Sequence, residues 1–489
     1  MRYTAHLDLT RKVMNDTPSQ SRAIGPLPYV VAATFFMEYL DTTVIATALP
    51  QMAHSFGASL NSLSLGMSAY MIALAIFIPA SGWVADRFGS RSVYFAAIVT
   101  FTVASLLCAV SHNVAEFTAA RVLQGLGGAL MVPVGRLIVV RTTDKQHLMK
   151  AINTITWPGV VAPLIGPPLG GFITTYASWR WIFLLNLPVC LAALVAVLKW
   201  VPNLRSAERR PFDVVGLALS GLALTSIVYG ADEASQPGTN PLMGVGIIVA
   251  GLVVGCIAFY HARHRRHPLI DVSTLAIPTF SVTVVTGTLT RIAVGAVPYL
   301  LPLMFQVGFG LSAFKSGLLL IVSAAGNLGM KTLITPTLRR YGFRRVAIVD
   351  CLVGGVFVIA CGLLTPDSPL LWILFVVLVY GVTRSMQFSL LAILAYADVP
   401  SEQTSAANTL WNVAYQLGIG LGIAFGALAL RAASAINHHD AAGAQGFTLH
   451  DFRFAFLCTG VLMLASTYGY TRLARDAGHR VSGASATKP

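Results

Sequence analysis

Long apolar runs, each followed by a short polar loop, recur along the whole chain. Most runs hold about 20 residues, the length at which an α-helix crosses the hydrocarbon core of a bilayer. The pattern therefore predicts fourteen membrane-spanning helices. They centre on residues 27–50, 63–81, 93–111, 115–140, 151–176, 180–200, 213–231, 241–260, 279–305, 314–337, 346–364, 370–396, 404–432 and 452–472.

Composition agrees with the hydropathy pattern. Hydrophobic residues make up 55% of the 489 positions, charged residues make up 11%, and the mean hydropathy is +0.71. A soluble domain carries about 25% charged residues, so the sequence predicts an all-α polytopic membrane protein. The six cysteines lie in or beside apolar runs without paired spacing, which favours packing roles over disulfides or metal ligands.

The positions of the basic residues predict the orientation. If the N-terminus lies inside, 24 of the 33 Lys and Arg residues fall in the inner loops and the two tails. The outer loops then hold only Arg180, Lys315, Arg431 and Arg453. This bias follows the positive-inside rule and predicts that both termini are cytoplasmic. The net charge of +14 is then a topology signal, and nucleic-acid binding is excluded.

A short loop sequence occurs twice and divides the chain. DRFGSR at 86–91 and RRYGFR at 339–344 both follow the second helix of a six-helix group. We predict a first half (27–201) and a second half (276–475), joined by a linker (202–275) that carries two extra helices. The predicted cytoplasmic tails are 1–26 and 476–489. Repeated halves around a central site are typical of secondary transporters.

Two acids interrupt the first apolar run. Glu38 and Asp41 have i,i+3 spacing and share one helix face, and by this reading they are the only two of the 19 acids deep within a span. A charge at mid-bilayer costs about 2.5–3.5 kcal/mol on insertion scales, so such residues indicate function. Ionisation of one acid opposes that of the other, which predicts a coupled proton site. A polar patch for helix packing is the alternative.

Five basic residues also lie at membrane depth: Arg121, Arg136, Arg291, Lys331 and Arg384. Arg121 shares a helix face with Gln124, and either pairs with a carboxylate or extends to the outer interface. Arg136 is expected to extend to the inner interface. Arg291, Lys331 and Arg384 favour anionic or zwitterionic cargo if they face inward. The predicted cavity lining is Tyr39, Gln124, Trp157, Arg291, Tyr299, Arg384, Gln387, Asn408, Trp411, Asn412 and Tyr415, with packing or an interfacial belt as the alternative.

Enzyme and ATPase signatures are absent from the sequence. It contains no HExxH, GxSxG or CxxC pattern and no Walker A sequence. His261, His264, His267, His438 and His439 fall in loops, where solvation is expected rather than metal binding. We therefore predict no enzymatic activity, no metal and no cofactor.

Five motifs in order give the chain a family resemblance. LDTTVIATALP (40–50), GWVADRFGSRS (82–92), RVLQGLGGALMVP (121–133), APLIGPPLGG (162–171) and WRWIFLLNLP (179–188) resemble the major facilitator superfamily, and within it the fourteen-helix drug:proton antiporters. Val84 and Ser90 depart from the loop motif, and Ala162 departs from the antiporter motif. The resemblance implies the major-facilitator fold with an inserted helix pair.

The resemblance also implies roles for individual residues. Asp41 would carry the proton, Arg121 would modulate it, and Glu38, outside the motif, would assist. Asp86 would pair with a basic residue across the two halves, in a latch formed by Gly82, Asp86, Arg87, Gly89 and Arg91. The antiporter motif, with Gly166, Pro167, Gly170 and Gly171, would seal a tight helix interface against leak.

These implications define the expected function. We expect a monomeric antiporter of the bacterial inner membrane that is driven by the proton gradient and exports small amphipathic compounds. The alternative is a proton-coupled transporter of one metabolite, organic anion or metal chelate, for export or uptake. Expected partners are the lipid bilayer, protons and a small-molecule substrate.

Overall fold

A computed structural model describes residues 25–58, 60–206, 211–235, 241–436 and 447–478. These residues are almost entirely helical and include no β-strand. The helices are α1 (Leu27–Phe56), α2 (Leu60–Phe77), α3 (Ser81–Phe88), α4 (Ser90–Val110), α5 (Val114–Thr142), α6 (Lys145–Thr156), α7 (Pro158–Tyr176), α8 (Arg180–Leu184), α9 (Asn186–Trp200), α10 (Val214–Ser235), α11 (Pro241–His264), α12 (Pro278–Leu303), α13 (Ala313–Tyr341), α14 (Phe343–Gly362), α15 (Leu370–Ala397), α16 (Thr404–Ile436) and α17 (Leu449–Thr471).

Length and composition make this a multi-pass membrane protein. Within the described residues, thirteen helices are long and apolar enough to span a bilayer, the first beginning at Gly66. The 30-residue α1, which contains Glu38 and Asp41, precedes them. The fourteen-span count and the cytoplasmic termini remain predictions. Most of both predicted tails, together with His438 and His439, lies outside the described residues.

The repeated loop has the same backbone form in both copies. Gly89 (φ 96°) and Gly342 (φ 77°) each stand between two helices, one ending at the preceding residue and one starting at the next. A positive φ is costly for residues with a Cβ, which explains why glycine occupies both turns. Two helices separated by one residue allow the chain to reverse within a very short loop.

The hydrophobic cores largely follow the two predicted halves. Two core clusters are built mainly from α1, α2, α4, α5, α7 and α9, and a larger one from α12 to α17. The larger cluster also includes Val140, Leu148, Met149 and Ile152, from the end of α5 and from α6. The two halves therefore share a core at the end of the bundle where α5 ends. We call this end, which the charge pattern assigns to the cytoplasm, the inner end.

The inserted helices pack on both halves mainly through α10. α10 contacts α2 of the first half and α16 of the second, whereas α11 packs mainly against α10. The opposite face of α11 is apolar and exposed, with Tyr260 66% accessible, as expected for a lipid-facing helix. At the inner end, the carboxylate of Asp213 accepts hydrogen bonds from His261 Nε2 at 3.0 Å and from the Leu269 N–H at 3.2 Å. This carboxylate ties the start of α10 to the end of α11 and to the chain beyond it.

Candidate functional site

The Asp41 carboxylate is the centre of a buried polar cluster in the first half. It lies on α1 and is 1% exposed. Its Oδ2 accepts from Arg121 Nη1 at 2.7 Å, while its Oδ1 accepts from Gln124 Nε2 at 3.0 Å and from Asn186 Nδ2 at 2.9 Å. Donors from α5 and α9 thus converge on a carboxylate of α1. A buried ion pair surrounded by hydrogen-bond donors can exist inside an apolar bundle.

Arg121 is held on several sides. Its guanidinium also donates to Gln124 Oε1 at 2.5 Å and lies 4.2 Å from the ring centroid of Tyr70. Gln124 in turn donates to Ser105 Oγ at 2.9 Å. Arg121 is 1% exposed, so it does not extend to the outer interface. The i,i+3 spacing of Arg121 and Gln124 brings both side chains to Asp41.

Glu38 lies one turn before Asp41 but outside this cluster. Its carboxyl is 7% exposed and faces Gly128 and the Tyr70 hydroxyl. Its Oε2 has no hydrogen-bond partner among the described residues. The two acids therefore share a helix face but differ in surroundings, because only Asp41 meets a cation.

Polar contacts between the halves lie near the inner end. Arg136 Nη1 donates to Asn412 Oδ1 at 2.8 Å, and Asn408 Nδ2 donates to the Pro133 carbonyl at 3.0 Å. Asn408 also accepts from the Tyr396 hydroxyl at 2.9 Å. The expectation that Arg136 extends to the interface is wrong, because α16 supplies a closer acceptor. Asn408 and Asn412, predicted to line a cavity, join α5 to α16 instead.

Lysines bridge the same interface. Lys145 Nζ donates to the carbonyl oxygens of Tyr396 at 2.6 Å and Val399 at 3.2 Å. Lys331 Nζ donates to Thr156 Oγ1 of the first half at 3.1 Å and to Ser389 Oγ at 2.8 Å. The amide of Asn153 donates to Thr335 Oγ1 at 3.2 Å. These contacts connect the two halves along the inner part of the bundle.

The acid of the loop at 82–92 has a different partner from the one expected. Asp86 pairs with Arg141 at 2.9 Å, and Arg141 ends α5 of the same half. The prediction of a pair across the halves is therefore wrong, since α3 and α5 end side by side. Gly82 makes the contact across the halves: it packs on Ser405 and Thr409, and a methyl group there would overlap the Thr409 hydroxyl.

The other three loop residues lie around this contact. Arg87 lines a pocket of 200 Å³ whose walls also include Arg205, Asp271 and Glu402. Gly89 faces Asn203, and a side chain there would overlap the Asn203 amide. Arg91 is half-buried in the first turn of α4.

The antiporter motif forms a close helix contact, as its composition predicts. Gly166 on α7 faces Thr43 on α1, and a methyl group at Gly166 would overlap the Thr43 hydroxyl. The same hydroxyl lies 3.4 Å from the Ala162 carbonyl. Pro167, Gly170 and Gly171 follow on α7, and Gly171 has open space beside it. Close approach of α7 to α1 therefore occurs at Gly166.

A cavity of 640 Å³ lies between the two halves, apart from the contacts at the inner end. Its walls come from α7 of the first half and from α12, α13 and α15 of the second. They include Pro163 and Pro168 of α7, together with Pro298, Pro302 and Gly317, which lie toward the outer ends of α12 and α13. The halves therefore touch at the inner end and are separated toward the outer end.

The eleven residues predicted to line a cavity do not all lie on one cavity wall. Among them, only Arg384 lines the 640 Å³ cavity. Arg291, Trp411 and Tyr415 form a second cluster, in which the Arg291 guanidinium lies 4.0 Å from the Trp411 ring centroid and 5.7 Å from that of Tyr415. Arg291 is 1% exposed, and its three guanidinium nitrogens have no hydrogen-bond partner among the described residues.

The remaining predicted lining residues are dispersed. Tyr39 packs beside Gly159 at the start of α7, and Trp157 stacks on Phe36 with centroids 6.4 Å apart. Tyr299 is half-buried on α12, near Arg431. Gln387 is buried on α15, and Gln124 belongs to the Asp41 cluster.

Sequence reasoning missed two residues. Asn186 donates to Asp41 although 145 positions separate them, and the sequence gives no signal of that contact. Asp350 lies in the second turn of α14, with its carboxyl beside Gln387 and its Oδ2 without a hydrogen-bond partner in the described chain. Glu38 and Asp41 are therefore not the only acids deep within a span. The predicted span 346–364 already contained Asp350.

Across the residues that the structure describes, no group of three or more His, Cys, Asp or Glu side chains lies close enough to hold a metal ion.

This fold and these motifs define a class of protein. The family model of the Major Facilitator Superfamily matches residues 31–423, and the chain belongs to this family. It is a membrane transporter and not an enzyme.

The chain is also similar to individual members of this family. The chain is 36% identical over 451 residues to "Putative multidrug resistance protein MdtD" of Cronobacter sakazakii, covering 92% of this chain and 94% of that protein. The protein of the same name from Escherichia coli O9:H4 is 34% identical over 472 residues, covering 96% and 98%. The chain is thus an MdtD-type member of the superfamily.

Solved structures share the fold at low identity. The human organic anion transporter MFSD10 (TETRAN) aligns with a TM-score of 0.66 and 15% identity, covering 93% of this chain and 100% of that one. The proton:xylose symporter XylE, bound to 6-bromo-6-deoxy-D-glucose, aligns with a TM-score of 0.63 and 16% identity, covering 92% and 96%.

Proposed function

We propose that this protein is a proton-coupled antiporter of the bacterial inner membrane that exports small amphipathic compounds by alternating access. The observation that carries the proposal is the Asp41–Arg121 pair, a titratable carboxylate buried inside a transporter bundle and contacted by three donors. Intramembrane acids with a named partner are typical of proton relays. The names of the MdtD relatives favour export of drug-like molecules.

The chemistry of Asp41 links a proton to helix packing. When the carboxylate is ionised, it attracts Arg121 and joins α1 to α5 and α9. A proton on Asp41 removes the negative charge of the ion pair and leaves the cationic guanidinium facing a neutral carboxyl group, which is a weaker acceptor than a carboxylate. Protonation therefore loosens α5 from α1, and deprotonation tightens them.

Helix α5 connects this site to the inner contacts. Arg121 and Arg136 both lie on α5, about 22 Å apart along the axis at 1.5 Å per residue. Arg136 and the Pro133 carbonyl hold α16 of the second half. A shift of α5 when Asp41 changes its charge thus acts on the contacts that close the inner end. Alternating access requires such coupling between the proton site and the closed end.

Reconstituted transport tests the proposal. In proteoliposomes with an imposed pH gradient, we expect wild-type protein to accumulate at least one member of a panel of lipophilic cations, anions and chelates. Asp41→Asn should abolish accumulation driven by the gradient but retain counterflow of the same compound, because exchange of cargo needs no net proton movement. Glu116→Gln, an exposed acid of the same half, is the matched control and should behave as wild type. Gradient-driven accumulation by Asp41→Asn at the wild-type rate would reject the role of Asp41.

A further inference from the structure

The cavity between the halves has the dimensions of a small-molecule site. Its 640 Å³ falls within the 300–1,000 Å³ of typical ligand pockets. The walls are mostly Val, Leu, Ile and Pro side chains, and four residues with polar side chains line it: Ser323, Asn327, Tyr380 and Arg384. Such a cavity fits a molecule with an apolar body and one polar group.

Among the described residues, Arg384 is the one charged residue on the cavity wall. None of the other seventeen lining residues is Asp, Glu, Lys or Arg. In the part of the chain that the structure describes, Arg384 forms no ion pair, and its Nε has no hydrogen-bond partner. The Tyr380 hydroxyl is the neutral group beside it. The cavity therefore presents a cation whose charge is not balanced by a nearby acid.

A second arginine extends this positive region toward the centre of the bundle. The Arg384 guanidinium lies 5.8 Å from the ring centroid of Phe388, which packs on Tyr415 at 5.9 Å. Tyr415 in turn lies beside Arg291. The two guanidinium groups flank one aromatic pair. Asp350, an acid deep within a helix of this half, forms an ion pair with neither of them and lies beside Gln387.

The acids of the first half do not offset this charge. Asp41 is neutralised by Arg121 at 2.7 Å, and Glu38 faces Gly128 and Tyr70, which are not on the cavity wall. A ligand cation in this cavity would meet an arginine without a compensating carboxylate. A ligand carboxylate would meet a planar guanidinium that can donate two parallel hydrogen bonds.

We propose that the cavity between α7, α12, α13 and α15 binds amphipathic organic monoanions, with Arg384 as the residue that recognises the carboxylate. This assignment of a substrate class rests on the proposed transport function. It favours an apolar acid over a lipophilic cation of the same size. The apolar wall selects the body of the ligand, and Arg384 selects its charge.

Three probes that share a naphthyl group but differ in charge distinguish the effect of charge on binding from the effect of shape. We would titrate the full chain, purified in detergent at pH 7.5, with 1-naphthaleneacetate, its neutral amide and a naphthylmethyl trimethylammonium ion, and measure binding by calorimetry. The carboxylate should bind wild-type protein at least tenfold more tightly than the amide. Arg384→Gln should abolish this preference while retaining amide binding. Arg384→Lys should retain part of it, because an ammonium keeps the charge but loses the fork of two donors.

Arg453→Gln is the matched control, since Arg453 lies in the first turns of α17 and is not on the cavity wall. It should leave all three affinities unchanged. Absence of carboxylate binding to wild-type protein, tighter binding of the ammonium ion, or an undiminished preference in Arg384→Gln would each overturn the proposal.

The binding assay uses no proton gradient, so the two proposals fail separately. Carboxylate binding through Arg384 without proton-driven transport would contradict the antiporter and leave the substrate class standing. Proton-driven export of cations by a protein that does not prefer the carboxylate would support the antiporter and contradict the substrate class.

Discussion

At the scale of single residues, two buried arginines show that the surroundings of a charge determine its effect on stability. Arg121 and Arg291 are both 1% exposed. Arg121 faces the Asp41 carboxylate, whereas Arg291 faces the rings of Trp411 and Tyr415 and meets no acceptor in the described chain. A buried ion pair is costly to break, but an unpaired buried cation is itself a cost to folding. The first arginine therefore supports the native packing, and the second is retained at a cost in stability.

Replacing each arginine with methionine tests this contrast. Arg121→Met leaves the Asp41 carboxylate buried without its cation, and we expect a loss of about 3–5 kcal/mol in the free energy of unfolding. Arg291→Met removes an unsatisfied guanidinium and a cation–π contact of about 0.5–2 kcal/mol, so stability should be unchanged or higher. Thermal unfolding of the two variants in one detergent measures the difference. Equal destabilisation by both would contradict this account of Arg291.

Part of the candidate site was predictable from single residues. Acids and cations inside apolar runs are visible in sequence, and the i,i+3 spacing of Arg121 and Gln124 indicates a shared face. The spacing does not show which helix that face meets. Asn186 on α9 and the pairing of Asp86 with Arg141 depend on the arrangement of helices, so sequence reasoning missed the first and misassigned the second.

At the scale of elements, one carboxylate at the inner end fixes the inserted helix pair. Asp213 lies before α10, and its carboxylate accepts from the Gly216 N–H, from His261 on α11 and from the Leu269 N–H. Burial raises the pKa of Asp213, but these donors outweigh burial and hold the pKa below its ordinary value. Folding therefore favours the ionised form of the Asp213 carboxyl over the protonated form.

The sign of this shift predicts a pH dependence. A lowered pKa means that the stabilisation is complete above the unfolded pKa of about 3.9 and is lost as pH falls through the folded value. We expect the Leu269 amide to exchange hydrogen more slowly in wild-type protein than in Asp213→Asn at pH 5 to 7. The difference should begin to fall at about pH 4 and vanish only once the pH is below the lowered folded pKa of Asp213. Matched-pH exchange measured by mass spectrometry checks this, and a difference already lost between pH 5 and 7 would contradict this account of Asp213.

Element boundaries were largely readable from the sequence, and packing partners were not. Hydropathy located the helices, and the repeated Arg-aromatic-Gly-x-Arg loop predicted two matching turns, which the structure places at Gly89 and Gly342 with positive φ. The partners of α10 were not predictable, since its apolar residues would suit lipid as well as α2 and α16.

At the scale of the whole molecule, the two halves meet at the inner end and separate toward the outer end. Arg136, Lys145, Asn153 and Lys331 join the halves nearer the inner end, and the 640 Å³ cavity extends toward the outer ends of α12 and α13. Under the proposed function, and with the orientation predicted from the basic residues, this arrangement corresponds to an outward-open state. Transport would require these inner contacts to separate in each cycle.

A reversible cross-link tests that requirement. Cysteines replacing Asn153 and Thr335, whose side chains lie 3.2 Å apart, should form a disulfide in a background with the six native cysteines removed. Because the bond would hold the inner end closed, we expect counterflow to fall at least tenfold on oxidation and to recover on reduction. Either cysteine alone should show no oxidation effect. Full transport by the cross-linked protein would contradict alternating access through these contacts.

The global architecture was the most predictable level, because membrane thickness and charge bias act on long stretches of sequence. The open end and the position of the cavity were not predictable, because they depend on which inter-half contacts form, and such contacts leave no periodic pattern in sequence.

Proton movement measured during transport tests the central claim most directly. Proteoliposomes containing a trapped pH-sensitive dye would report proton flux when a transported compound from the panel is added under a pH gradient. We predict a substrate-dependent proton flux in wild-type protein and in Glu116→Gln, and its loss in Asp41→Asn. A substrate-dependent flux of wild-type size in Asp41→Asn would contradict the assignment of the exchanged proton to Asp41.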